Sequence, residues 1–202
     1  MPWRVRSRPP KTRLTVGVGG LHDDLVSTLD ELRATAHPIR LRLLSLLTGV
    51  AMSAAEAGRE LGLSQATASY HLRVLERVGL VEVVEVVTIR GGEAKRYRHL
   101  SSAQPFPVVP SPVEGADDDA DAERARYVEA LADELRRRSP RRVAGPQVST
   151  DAELWVDAET WQRVVRHVGH ASALLHAAAQ RPRTPGTSPV SMTAALFPMR
   201  RP

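Results

Sequence analysis

Apolar positions recur densely between Leu21 and Leu100, broken at short intervals by turn residues, and this stretch predicts one compact domain. Leu25, Leu29 and Leu32 fall on one face of a helix over 23–35. His37-Pro38 ends that helix, and a proline at a first helical position opens the next, which runs through Leu47 and is closed by Gly49. Five leucines between 41 and 47 give this second helix so wide an apolar surface that it must be central. Ser53-Ala-Ala-Glu56 then spells a capping box: a Ser whose hydroxyl takes one orphan N–H, and a Glu three residues on that reaches back. The short helix so opened ends where Gly62 can take the left-handed conformation. Ser64 caps a further helix to about Val78, and the layout of short helix, glycine turn and longer helix is that of a helix-turn-helix. LVEVVEVVTI at 80–89 is β-branched, Arg90-Gly-Gly-Glu93 turns the chain, and 94–100 returns, which predicts a hairpin with Gly-Gly at its tip.

The rest of the chain divides less sharply. Residues 1–20 mix Pro, Gly and Arg without periodicity and read as a basic arm, either a solubilising tail or a phosphate-seeking one. The winged unit is expected over 21–101. Four prolines between 101 and 115 forbid a helix there, so 102–116 reads as a linker. Over 117–202 a long amphipathic helix is predicted, acid at its amino end and closing in Arg136–Arg138, with Tyr127, Val128, Leu131 and Leu135 in its stripe. Such a helix pairs with a second copy, the favoured expectation, or covers its own domain. After it, 152–156 (AELWV) reads as a strand, Asp157 caps a helix to about Ala179, and 190–198 (VSMTAALFP) reads as another strand. Trp155, Trp161, Leu174, Leu175 and Phe197 would form the small core of this strand-helix-strand unit, with room for an apolar small-molecule effector. The expected class is therefore α+β: a winged helix-turn-helix, a long helix, and a C-terminal dimerisation or effector region.

Composition narrows the chemistry. Aromatic residues make up only 4% of the 202, so the core must be aliphatic, and the absence of Cys removes disulfides, thiolate metal sites and cysteine nucleophiles. No run reaches the roughly 20 apolar residues of a membrane span, and no apolar run follows MPWRVRSRPPKTR, which points away from a secretory signal and toward the cytoplasm. Residues 1–101 hold 15 Lys/Arg against 10 Asp/Glu, while 102–202 hold 13 of each. Positive charge therefore collects in the arm and around the hairpin tip. Nothing suggests catalysis: there is no recognisable Ser/His/Asp frame, and Gly17-Val-Gly19-Gly20 lacks the preceding strand of a dinucleotide fingerprint. His167 and His170 can share a helix face, but with no carboxylate at ligand spacing they make a weak metal signal, and neither metal nor cofactor is expected.

On the longer helix after Ser64, Ala68, Leu72 and Leu75 share the packing face, and Ala66, Tyr70, Arg73 and Arg77 lie opposite, flanked by Thr67 and Ser69. Small side chains near its amino end would let the backbone approach the floor of a major groove. Gln65 can read adenine and the hydroxyls several base edges, while Arg73 and Arg77 reach phosphates. His71 lies about 60° from the packing stripe, which leaves packing and phosphate contact both open. Arg90, Lys95, Arg96 and Arg98 against Glu93 give a basic hairpin end. The candidate DNA-binding set is Ser64, Gln65, Thr67, Ser69, Tyr70, His71, Arg73, Arg77, Arg90, Lys95 and Arg96.

AHPIRLRLLSLL at 36–47, the Ser-x-x-Thr-x-Ser-x-His-Leu-x-x-Leu pattern from Ser64 to Leu75, and RGGEAKRYRHL at 90–100 resemble the ArsR-type winged helix-turn-helix repressors. The resemblance covers about 30–100. It implies a homodimer on double-stranded DNA, with these recognition-helix positions facing the duplex and the wing at its edge. The short helix carries Ala54, Ala55 and Ala57 where metal-sensing members place cysteine ligands, so that kind of inducer does not carry over. The expected function is a regulator, most simply a repressor, on a pseudo-palindromic operator. The alternative is a winged helix that binds protein and not DNA.

Overall fold

The structure, a computed structural model, describes residues 29–89, 92–100 and 118–199. The arm, the linker, Arg90 and the first part of the first helix lie outside them. Helix α1 (29–35) is followed at once by α2 (Pro38–Gly49), with His37 between them in extended backbone and its Nδ1 accepting the Ile39 N–H at 3.1 Å. A two-residue strand β1 (Met52–Ser53) leads into α3 (Ala54–Leu61) and α4 (Gln65–Arg77). The hairpin is β2 (Val81–Ile89) and β3 (Gly92–His99), and the sheet order is β1-β3-β2, all antiparallel. Register runs from Val81 opposite His99 to Ile89 opposite Gly92, with a bulge between Val83 and Glu85. β1 pairs Met52 with Tyr97 and so stitches the start of the helix-turn-helix to the hairpin.

The core is aliphatic, as the composition requires. Leu43, Leu47, Met52, Leu72, Leu75 and Val81 are its largest fully buried side chains, joined by Ala34, Leu44, Ala57 and Tyr97. Helix α2 is central: it touches α3, α4, β3 and both C-terminal helices. Each fully buried leucine contributes roughly 1.5–3 kcal/mol of transfer free energy.

Helix α5 (Asp118–Arg138) lies against α2 of its own chain. Its inward residues are Ala130 and Glu134. Glu134, 3% exposed, takes Arg42 of α2 at 2.6 Å and Arg137 of its own helix at 2.7 Å. At the other end, Arg33 of α1 meets Asp119 and Glu123. The helix thus covers its own domain, the less favoured expectation, while Val128 and Leu135 stay exposed. A 3-10 turn (Ser139–Arg141) follows, and α6 spans Ala158–Ala177, capped by Asp157, which accepts the Thr160 N–H at 2.8 Å.

The strand-helix-strand unit does not form. Residues 152–156 and 190–198 carry no strand, and Trp155 is 79% and Phe197 60% exposed, so the small core with room for an effector does not assemble in the single chain. The physical reason is partnership. Two short strands under one helix bury too little to hold themselves, and neither segment finds the ladder of the other. Among the described residues no helix is long and apolar enough to cross a membrane, and no group of three His, Asp or Glu side chains is placed to hold a metal ion.

Candidate nucleic-acid interface

The helix-turn-helix is built by local chemistry at three points. Ser53 and Glu56 make the reciprocal capping box: Glu56 N–H donates to Ser53 Oγ at 3.3 Å, and Ser53 N–H donates to Glu56 Oε2 at 2.8 Å. Burial pushes the Glu56 carboxyl up, but those bonds and the fields of Arg96 and Arg181 hold it below its ordinary value. Gly62 then takes φ +67°, a left-handed turn, and Leu63 N–H closes back on Gly58 O at 2.8 Å. Gly58 matters for another reason. A Cβ there would stand 2.9 Å from the Leu63 carbonyl oxygen, so the bare backbone is what lets α3 and the turn approach.

Helix α4 begins at Ser64, whose Oγ accepts the Thr67 N–H at 3.0 Å and lies 2.8 Å from Thr67 Oγ1. Both hydroxyls are engaged in the cap while remaining near the surface. Gln65, Ala66 and Tyr70 are exposed, Tyr70 at 58%, and Thr67 and Ser69 are half-buried. Arg73 is exposed, its Nε resting on Ser69 O at 3.3 Å, and Arg77 is exposed on the last turn. One continuous outward face therefore carries an amide, small side chains, a phenol and two guanidinium groups.

Two members of the candidate set face elsewhere. His71 is buried, 6% exposed, with its ring 4.7 Å from that of His37 and 5.1 Å from Tyr70. Burial, then His37 and Arg40, lower its pKa, so it is a neutral packing residue and not a source of phosphate-binding charge. Arg96 is half-buried: it donates to Ala51 O at 2.6 Å and lies 3.7 Å from both Glu56 and Glu85. It braces the root of α3 instead of standing at the wing's free edge. Lys95 is exposed but meets Glu76 of α4 at 3.3 Å, tying the hairpin to that helix. Arg90 falls outside the described residues.

Sequence reasoning passed over Arg40. It sits on the first turn of α2, its Nη2 donating to Arg33 O at 2.9 Å, with a buried Nε that has no hydrogen-bond partner among the described residues. Burial lowers its pKa, and the charge of Tyr70 on α4 partly offsets this. The signal was the string His37-Pro38-Ile39-Arg40, in which proline fixes the helix start and so the direction of Arg40.

Comparison with known proteins agrees with this geometry. Residues 35–84 match a family model described as "Helix-turn-helix domain". Among solved structures, the chain is similar to the transcriptional repressor BigR from Xylella fastidiosa, at 26% identity over 56% of this chain and 90% of that one, with a TM-score of 0.30. A likeness that loose says nothing of what this chain does. No curated protein matches the sequence. Residues 35–84 are thus a helix-turn-helix domain, and the antiparallel hairpin that follows makes it a winged one.

Proposed function

We propose that the protein is a sequence-specific DNA-binding transcriptional regulator, acting as a homodimer on a pseudo-palindromic operator and most simply as a repressor that occludes a promoter. The observation that carries this is the outward face of α4: Gln65, Ala66, Thr67 and Ser69 are small or amide-bearing at the amino end, and Tyr70 and Arg73 follow. That order suits entry of a helix into a major groove, with base edges read first and phosphates held behind. Ser64, Gln65, Thr67, Ser69 and Tyr70 are the proposed base-reading group, and Arg73 and Arg77 the phosphate-binding group, to which Lys95 and, by its sequence position in the wing, Arg90 are added. Two such helices would lie about ten base pairs apart on the duplex. The dimer reading draws support from Trp155, Leu174, Val190 and Phe197, four large apolar side chains of the C-terminal half that stay exposed in one chain. A small-molecule effector would then act where the two copies meet.

The test is a salt titration against a labelled random-sequence duplex, alongside sedimentation of the protein alone. A regulator loses affinity linearly in log–log coordinates, with a slope of about −0.9 for each phosphate it neutralises. Tyr70→Ala with Arg73→Ala should weaken binding and flatten that slope by about 1, with folding and sedimentation unchanged. Wild-type protein that ignores duplex DNA at low salt would instead mark a winged helix that binds protein, a reading favoured by the internal commitments of Lys95 and Arg96.

A further inference from the structure

The segment after α6 does not trail away. Ala178 N–H and Ala179 N–H close the helix on Leu174 O and His176 O, and two successive turns follow: Thr184 N–H to Arg181 O at 3.2 Å and Thr187 N–H to Thr184 O at 3.1 Å. Thr184 and Thr187 hydroxyls reinforce the same two carbonyls, at 2.7 and 2.6 Å. This short, self-braced piece meets the winged domain at two places. Gln180 sits so close to the end of α2 that a Cβ on Gly49 would stand 2.6 Å from the Gln180 carbonyl oxygen. Arg183 forms an ion pair with Glu60 of α3. The charges of His176 and Arg181 in addition help lower the pKa of the buried His99 of β3 and of Glu56 of α3. Arg183 holds φ +66°, a conformation that a non-glycine residue keeps only when its surroundings impose it.

We propose that residues 176–184 are a strap that couples α6 to α3, so that the seating of the C-terminal helix sets the seating of the first helix of the helix-turn-helix. Two features select α3 as the target. Glu60 of that helix holds Arg183 of the strap in an ion pair. The Gly58 contact passes any tilt of α3 to the turn and to α4. Gly49 of α2, bare where the strap crosses, seats the strap beside it. If the duplex-binding reading holds, the strap is the route by which an event in the C-terminal half reaches the DNA.

Gly49→Ala is the sharp perturbation, because Gly49 closes a helix without a positive φ and the three heavy atoms nearest the added methyl are all backbone atoms of Gln180 in the strap. Amide hydrogen exchange on the full chain is the readout. Expected are faster exchange in 177–187 and, with it, about fivefold faster exchange in 54–63, the factor for 1 kcal/mol, while 83–87 of β2 is unchanged. Faster exchange in the strap with α3 unaltered would overturn the proposal, leaving a passive tail; no change in either would overturn the contact itself. Glu60→Arg and Arg183→Glu give the second arm. Each alone should loosen both segments, and the swapped pair should restore them; a swap no better than the singles would also count against the strap. These readouts need no DNA, so they stand apart from the duplex titration, which tests the function.

Discussion

Gly58→Ala isolates how the helix-turn-helix holds its angle. In the middle of a helix, Ala is worth about 1 kcal/mol more than Gly, so propensity alone predicts a gain. The structure predicts the reverse. The new Cβ would lie 2.9 Å from the Leu63 carbonyl oxygen and 3.4 Å from that of Ser64, both backbone atoms that cannot swing aside as a side chain can. Leu63 is further pinned by its own N–H on Gly58 O at 2.8 Å. Relief requires α3 and the turn to separate, and overpacking of this kind costs about 1–3 kcal/mol. The expected net is a loss of about 1 kcal/mol, together with a changed α3–α4 angle.

Gly169→Ala on α6 is the matched control, since a Cβ there meets nothing within 4 Å. It makes the same chemical change with propensity alone in play, and should stabilise by up to about 1 kcal/mol. Urea unfolding of the two variants reads the difference directly, and duplex affinity should fall for Gly58→Ala only. If both variants shift the midpoint upward alike, the close approach of α3 to the turn is not a constraint, and the reasoning about the recognition helix's seating fails with it.

His99, buried beside Thr48, has its pKa lowered from 6.5 to about 4, mainly by burial and further by the charge of His176. Above pH 6.5 the group is neutral folded or unfolded and costs nothing; below that the unfolded chain takes up the proton first. Stability should therefore fall between pH 6.5 and 4 by up to about 3 kcal/mol, and His99→Leu should flatten the profile in that window. Glu134 works in a lower one. Burial raises its pKa, but hydrogen bonds from Arg137 and Arg42 hold it below 4.5, so its contribution is present above pH 4.5 and is lost on further acidification. Arg42→Ala should cost about 2 kcal/mol in a denaturant titration at neutral pH, because Arg137 remains to meet the carboxylate; a neutral result would show that α5 is held by its apolar face alone.

The parts of the fold that were legible in the sequence are those whose signals are local. Ser53, Glu56, Gly62 and Ser64 each act on backbone within a few residues, and all four do in the structure what their spacing predicts. The parts that were not legible depend on partners far along the chain. His71 could be placed only within about 60° of the packing stripe, and its inward ring lies against His37, at the junction of α1 and α2 far along the chain. Arg96 is a different case. Neighbours on a strand point to opposite faces, so Lys95 and Arg96 could never both line one edge of the wing, and alternation alone would have separated them. Segments 152–156 and 190–198 have the composition of strands and no ladder to join, a lack that no local pattern reveals.

The same distinction bears on what the C-terminal half is for. It grips α2 at both ends by different means. Near the start, Arg42 meets the buried Glu134, and Arg138 beside it donates to Thr193 Oγ1 at 3.0 Å, drawing the last segment in. Near the end, the Gln180 backbone lies on Gly49, and Arg183 reaches past to α3. The Arg42–Glu134 pair, its carboxylate buried, adds little net stability because desolvation offsets most of the attraction. The exposed Arg183–Glu60 pair adds little because water screens it, but both are directional in a way apolar contact is not. Apolar contact alone would let α5 and α6 slide over the leucine surface of α2. The charged and backbone contacts remove that freedom, and they do so on the two helices, α2 and α3, against which the recognition helix packs. The C-terminal half thus adds directional contacts to α2 and α3, while the largest fully buried side chains of the core all lie between Leu43 and Val81.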